Sequence, residues 1–537
     1  MKFYPHATVA LFIGSITLTT GLNFTNPVIY EDLADLEVVR VNDTYYYTAS
    51  TMHFSPGAPI LRSYDLVNWE YLSHSVPHLD FGPEYSLQDS RTAYDGGVWA
   101  STLQYRHSNG LWYWYGLIQS TGKTHVFTAP APEGPWTEHT PMDEAYYDCG
   151  LLIDPDDDTM YIAYGNYVLH VAQLSSDGLS QVKSEAVYTE PDGRLIEGSR
   201  MYKRDGNYYI FATKPANEQH ILKSTTGPFG PYEIQAVLVD MPAPVVGAGT
   251  PHQGGLVETP SGDWYYMAFI DAFPLGRCPV LAPITWDSNG WPHVVTDAAG
   301  GWGAEYAMPV STDRKAGPEN LPGAFKEIFS GKASLGPRWE WNHNPLDSAW
   351  KLTQHGLELT TKRLASELYT APNTLTTRIF GPKSQATFKL DLSMMKDGDR
   401  AGVSIFRDDS AYIGVHQDSG VKRLIYVDNL VLNQTTWIPT GHAGDILAGD
   451  EVRDGAIWLR VTADVRPAFT SDLFNDPRPA TFWYSTNGID FTQFGNTYLL
   501  SHKWQFFMAY RFAVFNYATV ELGGKIVVEE CETQELR

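Results

Sequence analysis

The sequence predicts an all-β protein with two domains, a five-bladed β-propeller followed by a β-sandwich that resembles a jelly roll. Two observations lead to this prediction. A unit made of a polar turn and an aromatic strand occurs five times before residue 310, and short alternating strands fill the rest of the 537 residues without a sustained helical period. Aromatic residues make up 13% of the chain, and they favour the pleated, half-buried positions of strands.

The five repeated units are spaced regularly, and another short strand precedes each of them. Every unit opens with a pair drawn from Asn, Asp and Gly, which is a strong signal for a hairpin. About four strands per unit, repeated radially, give a propeller, so five units predict five blades over residues 22–310. A large β-sandwich with accidentally similar hairpins is the alternative. The units start at Asn42, Asn109, Asp157, Asp205 and Gly262.

The domain boundary is predicted from a change in composition. Residues 311–324 are rich in Gly, Pro and charge, which is typical of a linker. Residues 325–537 again show short alternating strands, and about 200 residues of this kind favour a sandwich or a jelly roll.

Residues 1–21 are predicted to be a secretory signal that is not part of the fold. Lys2 gives a positive start, residues 9–18 are apolar and small residues follow. The apolar run is too short to span a bilayer, and an uncleaved anchor is the alternative. We therefore expect a secreted, extracellular protein, glycosylated if the host is eukaryotic. The possible acceptor sequons begin at Asn23, Asn42 and Asn433.

The charge and the cysteine count limit the possible partners. With 38 basic and 62 acidic residues, the net charge is −24, which disfavours binding to nucleic acids and to anionic membranes. We expect a neutral carbohydrate partner, no nucleic-acid or membrane partner, and a monomer. Cys149, Cys278 and Cys531 fit no zinc site. They leave open a disulfide between Cys149 and Cys278 or two buried thiols.

Ionisable residues stand where each predicted innermost strand begins. Because the first strand of every blade lines the axis of a propeller, these five positions are expected to converge at one end of the channel. Asp at a strand entry is often only a turn residue, and a single histidine is often a satisfied core residue. Together, however, the five indicate a site. They are Asp35, Asp95, Asp148, Glu197 and His252.

Clustered carboxyl groups suit the hydrolysis of a glycosidic bond. Mutual repulsion and burial raise carboxyl pKa values, and unlike environments separate a proton donor from an acceptor. One carboxyl group then protonates the leaving oxygen while another deprotonates a water. Glu197, with the longer side chain, suits the acid and Asp35 suits the base, and a third carboxyl group can tune the donor.

Several segments resemble glycoside hydrolase family 43, in order along the whole predicted propeller. The C-terminal part resembles the β-sandwich of the β-xylosidase and arabinofuranosidase branch, and the secreted fungal members are the most similar. The propeller segments are residues 26–70, 96–105, 147–154, 197–212, 252–269 and 276–292, and the C-terminal ones are 339–345 and 371–378.

This resemblance implies an inverting enzyme with Asp35 as general base, Glu197 as general acid and Asp148 as the carboxylate that tunes and orients the acid. It also implies a set of sugar-binding residues and a channel histidine, His252, which in many members orients a water or an ion, often calcium. A cofactor is not required, although a structural Ca²⁺ in the channel fits the resemblance. The expected sugar-binding residues are Phe54, Trp99, Tyr147 and Arg277.

Two departures from the family pattern bear on the substrate. The usual Pro-Asp-Pro around the base is Ala34-Asp35-Leu36 here, with Asp32 close by. A glycine-rich turn of many β-xylosidases is replaced by residues 214–217. The second departure disfavours a xylosidase. The opening around Asp35, the loop at residues 51–57 and the export signal together resemble secreted fungal enzymes that remove arabinose from arabinoxylan. We therefore expect removal of α-L-arabinofuranosyl side chains from arabinoxylan. Exo-acting β-xylosidase activity on xylo-oligosaccharides is the alternative, and a non-catalytic carbohydrate-binding propeller is a remote one.

Overall fold

In the computed structural model, the N-terminal half of the chain forms five four-stranded antiparallel sheets arranged as the blades of a propeller. The structure describes residues 22–453, 455–469 and 476–536, so the predicted signal segment lies outside the described residues. The first blade comprises Glu37–Val41, Thr44–Thr48, Gly57–Ser63 and Trp69–Val76, and the second Ser101–Arg106, Leu111–Ile118, Lys123–Ala129 and Thr137–Glu138. The third comprises Gly150–Ile153, Met160–Tyr164, Val168–Leu174 and Gln181–Thr189. The fourth comprises Glu197–Arg204, Asn207–Lys214, Glu218–Ser224 and Glu233–Val239, and the fifth His252–Glu258, Trp264–Asp271, Arg277–Trp286 and Pro292–Val294.

The predicted five-bladed propeller is confirmed, and each repeated unit supplies the second strand of one blade. Its polar turn joins that strand to the first, as at Asn42 between Glu37–Val41 and Thr44–Thr48. The first strands of neighbouring blades pack on one another around the axis. A short pair, Asn23–Thr25 with Glu305–Ala307, joins the beginning and the end of the propeller.

Two sheets form the C-terminal sandwich, which confirms the second predicted domain type. One sheet contains Lys326–Ile328, Trp350–Thr353, Gly356–Thr360, Lys383–Asp391, Ala456–Asp464, Pro479–Ser485, Thr492–Gln493, Tyr498–Leu499 and Lys525–Glu535. The other contains Glu340–Asn342, Leu375–Arg378, Asp399–Phe406, Asp409–Asp418, Val421–Val431, Asp445–Glu451 and Arg511–Ala518. Its edge strand is Phe54–Ser55, which comes from the propeller half of the chain and pairs with Glu340–Asn342.

Helical structure in the described part of the chain is limited to short 3₁₀ segments, and none is long and apolar enough to cross a membrane. One of them lies in the predicted linker region between the last propeller strand and the first sandwich strand. The 3₁₀ segments are Pro83–Ser86, Gln88–Ser90, Pro318–Asn320, Asp347–Ala349 and Leu368–Thr370.

The three cysteines are free and buried. Of the two alternatives for Cys149 and Cys278, the structure therefore shows buried thiols and not a disulfide.

A buried ion cluster fixes the sandwich against the propeller. Glu340, which has no exposed surface, pairs with Arg378 at 2.9 Å, with Arg511 at 2.5 Å and with His74 of the first blade at 3.1 Å. Although burial opposes its charge, the two arginines lower the pKa of Glu340 well below its usual range. Arg378 also donates to the backbone oxygen of Asp32, 2.9 Å away. The sandwich is thereby tied directly to the loop that carries Asp35.

Candidate active site

Asp35 precedes the first strand of blade one and is almost completely buried, with 6% of its surface exposed. Its Oδ1 forms an ion pair with Arg277 Nη1 at 2.7 Å. Its Oδ2 accepts a hydrogen bond from the Ser50 hydroxyl, also at 2.7 Å. Both carboxylate oxygens are therefore held in fixed directions by groups on two different blades.

Glu197 is the first residue of the innermost strand of blade four and is only partly buried. Its Oε2 accepts a hydrogen bond from the Tyr147 hydroxyl at 3.1 Å. Burial, together with the negative charge of Asp35, raises the pKa of Glu197, while the Tyr147 bond and the cation of Arg277 act in the opposite direction. A raised pKa keeps more of this carboxyl group protonated near neutrality, which is what a proton donor requires.

Asp148 lies two residues before the innermost strand of blade three, with 7% of its surface exposed. Burial, and then the charges of Glu197 and Asp35, raise the pKa of Asp148 well above its ordinary value. The cation of Arg200 and the backbone N–H of Gly198 oppose this shift. The three predicted carboxyl groups therefore act on one another electrostatically, although they come from three blades.

Left-handed backbone conformations occur at four of the five strand entries. Asp35 has φ = 56°, Asp148 has φ = 49°, and Gln253, next to His252, has φ = 42°. Gly198, which follows Glu197, has φ = 70°. For residues other than glycine this region costs about 1–3 kcal/mol and persists only where the surroundings enforce it. Such strain is typical of functional sites.

Aromatic rings and an arginine surround the carboxyl groups. Trp99 donates its indole N–H to the Asp95 carbonyl at 2.9 Å, and its ring lies edge-on to Tyr147 with centroids 6.4 Å apart. Arg277 donates from Nη2 to the Phe507 carbonyl at 3.1 Å, and the Phe507 ring lies 5.6 Å from the guanidinium. The sandwich therefore reaches the site, since Phe507 belongs to that domain.

His252 lies near this cluster but makes a separate set of contacts. Its Nδ1 donates to the Thr250 carbonyl at 2.9 Å, its ring packs on Phe269 at 4.6 Å, and its Nε2 is 4.0 Å from Asp271 Oδ2. In the described ranges, no group of three or more His, Cys, Asp and Glu side chains could hold a metal ion. Calcium prefers several oxygen ligands, so an imidazole with one carboxylate is a poor donor set for it.

The structure places Phe54 differently from the other predicted sugar-binding residues. Its ring is 2% exposed and is covered by the guanidinium of Arg511 at 3.5 Å. The residue belongs to the strand that completes the sandwich sheet. Because this packing leaves almost no free face for a sugar, Phe54 stabilises the domain interface.

Asp95, at the remaining strand entry, has an exposed side chain and uses its carbonyl to orient Trp99.

Sequence reasoning missed several residues that organise the site. Ser50 binds Asp35, Phe507 contacts Arg277, and Arg200 binds backbone oxygens beneath the carboxyl groups. Ser50 and Arg200 lie within four residues of a predicted site residue along the chain, but proximity in sequence does not reveal what they bind. Their contacts, and those of Phe507, depend on which strands and domains meet.

These groups together supply what hydrolysis of a glycosidic bond requires: a fixed carboxylate, a carboxyl group with a raised pKa, and aromatic and cationic side chains beside them. The site therefore has the composition of a glycoside hydrolase. The comparisons with known proteins agree. Residues 24–292 match the family model for glycosyl hydrolases family 43, and residues 326–528 match that for the β-xylosidase C-terminal concanavalin A-like domain. The chain belongs to glycosyl hydrolases family 43.

Relatives that match two thirds or more of the chain support the assignment. A putative beta-xylosidase of Xylanibacter ruminicola is 32% identical over 67% of each chain. A beta-xylosidase of Formosa agariphila is 29% identical over 94% of this chain and 89% of its own. A non-reducing end alpha-L-arabinofuranosidase of Bacteroides ovatus is 28% identical over 75% and 77%. The fungal branch stays a prediction.

A solved structure with 45% sequence identity superimposes with a TM-score of 0.92, covering 96% of this chain and all of that one. It is a family 43 glycoside hydrolase whose active site was engineered to display both endo-xylanase and exo-arabinofuranosidase activity. The match extends over both domains, so it also supports the observed contact of propeller and sandwich.

Proposed function

We propose that this protein is an inverting glycoside hydrolase that removes α-L-arabinofuranosyl side chains from arabinoxylan. The observation that carries the proposal is the contrast between two carboxyl groups at the axis. Asp35 forms an ion pair with Arg277, whereas Glu197 has a raised pKa. A pair of this kind provides a base and an acid within one pocket.

In the proposed reaction, Asp35 accepts a proton from a water molecule as that water attacks the anomeric carbon. Glu197 donates its proton to the leaving oxygen on the opposite face of the sugar, and the configuration inverts. Asp148 tunes and orients the acid; the two carboxyl groups are close enough to interact, since the charge of Glu197 raises the pKa of Asp148. Trp99, Tyr147 and Arg277 hold the sugar.

Similarity to known enzymes supports both the preferred substrate and the alternative. The 45% identical structure and the Bacteroides ovatus relative are described as having arabinofuranosidase activity. The relatives from Formosa agariphila and Xylanibacter ruminicola are described as a β-xylosidase and a putative one. We prefer the arabinofuranosidase function because the 45% identical protein, which has the highest identity of these four, is described as having that activity. Exo-β-xylosidase action on xylo-oligosaccharides is the second candidate, and a non-catalytic carbohydrate-binding propeller is the remote third.

We further propose that the protein is secreted, monomeric and active without a cofactor. The asparagines of the three sequons, at positions 23, 42 and 433, are exposed, so each is accessible to glycosylation in a eukaryotic host. The strongly acidic chain has a polysaccharide, and neither a nucleic acid nor a membrane, as its expected partner.

A digest of cereal arabinoxylan by the wild type and two variants tests the proposal. We expect the wild type to release arabinose and leave the xylan backbone intact. Glu197→Gln and Asp35→Asn should each lose at least a hundredfold in kcat, consistent with the about 10²–10⁴-fold contribution of general acid–base groups. Asp157→Asn, in an exposed turn, is the matched control and should keep wild-type activity.

Two outcomes would overturn the proposal in different ways. Release of xylose from oligosaccharide ends, with the branches untouched, would establish the xylosidase alternative. Binding of arabinoxylan without turnover by the wild type, unchanged in Asp35→Asn, would show that the propeller is a binding module.

A further inference from the structure

Arg200 is a completely buried arginine that the proposed reaction does not use. It lies on the innermost strand of blade four, three residues after Glu197, and a register irregularity separates the two residues. Irregularities of this kind redirect side chains. Here the arginine contacts the backbones of two other blades, which places its guanidinium at the axis beneath the carboxyl groups.

Every nitrogen of this guanidinium donates to a backbone carbonyl. Nε binds the Leu36 oxygen at 3.1 Å, and Nη2 binds the Asp35 oxygen at 2.8 Å. Nη1 binds the oxygens of Cys149 and Ser199, each at 2.9 Å. One side chain thus links blades one, three and four. Two of its acceptors are Asp35 itself and the residue that follows Asp148.

These bonds act on backbone segments with unfavourable conformations. Asp35 and Asp148 are both left-handed, and such residues relax unless neighbouring groups hold them. The guanidinium fixes the carbonyl of the first and the carbonyl directly after the second. A rigid planar fork can satisfy acceptors in several directions at once, which a single flexible ammonium group cannot.

We propose that Arg200 is a positioning residue for the hydrolytic reaction. By linking three blades, it holds the general base Asp35 and the tuning carboxylate Asp148 in fixed positions relative to each other. The inference rests on the proposed roles of Asp35 and Asp148. A misplacement of about 1 Å in a catalytic group can cost about a hundredfold in rate, so loss of these bonds should reduce turnover more than binding.

Arg200→Lys and Arg200→Gln test the inference together. The first keeps the charge without the planar fork, and the second keeps planar N–H donors without burying a charge. We expect kcat to fall about thirty- to a hundredfold in each folded variant, while KM and the inhibition constant for free arabinose stay within threefold. Arg106→Lys is the matched control, because Arg106 is also buried but binds Asp158 and Ser176. It should keep wild-type kcat.

Thermal unfolding identifies which variants are folded at the assay temperature, and only these are compared. Wild-type kcat in either folded Arg200 variant, with Asp35→Asn inactive, would refute the positioning role alone. Wild-type activity in Asp35→Asn would refute the proposed function instead.

Discussion

The hydrogen bond from Tyr147 to Glu197 makes a quantitative prediction about the pH dependence of the enzyme. The Tyr147 hydroxyl lies 3.1 Å from Glu197 Oε2 and favours the ionised carboxylate, so it lowers the pKa of Glu197 against the effect of burial. Tyr147→Phe removes this donor and leaves the ring. The pKa of Glu197 should then rise, and the acid should stay protonated to higher pH.

The size of the pKa shift of Glu197 follows from the strength of the hydrogen bond that Tyr147 donates. Hydrogen bonds to charged groups contribute about 1.5–3 kcal/mol. A bond of 3.1 Å to a partly exposed carboxylate belongs at the lower end of this range. Because one pKa unit corresponds to about 1.36 kcal/mol, about 1.5 kcal/mol predicts a rise of about one unit. The alkaline limb of kcat/KM should move upward by about one pH unit, since it reports the pKa of the acid in the free enzyme.

The assay is kcat/KM for arabinose release between pH 4 and pH 10. Tyr146→Phe is the matched control, because the Tyr146 hydroxyl binds Gln181 and touches none of the carboxyl groups. Its alkaline limb should coincide with that of the wild type. An unmoved or lowered limb in Tyr147→Phe would refute the assignment of that limb to Glu197. A raised KM would report only a contact between the Tyr147 hydroxyl and the sugar.

Two further predictions concern the sandwich domain. Phe507→Ala removes the ring that lies 5.6 Å from the Arg277 guanidinium and should weaken inhibition by free arabinose about three- to tenfold. An unchanged inhibition constant, equal to that of the exposed control Ile489→Ala, would contradict a role at the site. Burial raises the pKa of Asp399 to about 6, above its unfolded value of about 3.9. Its carboxylate therefore reduces stability as the pH rises through 6, by up to about 3 kcal/mol at about 1.36 kcal/mol per unit. Asp399→Asn should raise the melting temperature at pH 8 but not at pH 3.5, and an equal shift at both would contradict this linkage.

The propeller could be predicted because its signals are local. Each blade begins with a hairpin whose polar turn and aromatic strand are adjacent in sequence, so five repeats reveal five blades. The positions of Asp35, Asp148 and Glu197 followed from the same regularity, since the entry to the first strand of a blade lies at the axis. The structure brings these three carboxyl groups within electrostatic reach of one another.

What could not be predicted depends on contacts between distant parts of the chain. Arg277 and Phe507 are 230 residues apart and meet only because the sandwich packs on the propeller. Arg200 is a single basic residue in a strand, and its role becomes visible only when the carbonyls of two other blades surround it.

Phe54 shows the opposite case, in which a local resemblance predicts a contact that long-range packing replaces. Its segment resembles family 43, and the resemblance implies a sugar contact, but the strand that Phe54 forms completes the sheet of the other domain. The aromatic side chain is therefore used for packing against Arg511. Nothing in the local sequence distinguishes these two uses of a phenylalanine.

Proton NMR of a fresh arabinoxylan digest identifies both the sugar released and its first anomeric form, so it tests the substrate and the inversion together. We expect β-arabinofuranose to appear in the first minutes, before mutarotation, with the xylan backbone intact. First appearance of the α-anomer would contradict inversion by Asp35 and Glu197. Xylose in place of arabinose would contradict the proposed substrate.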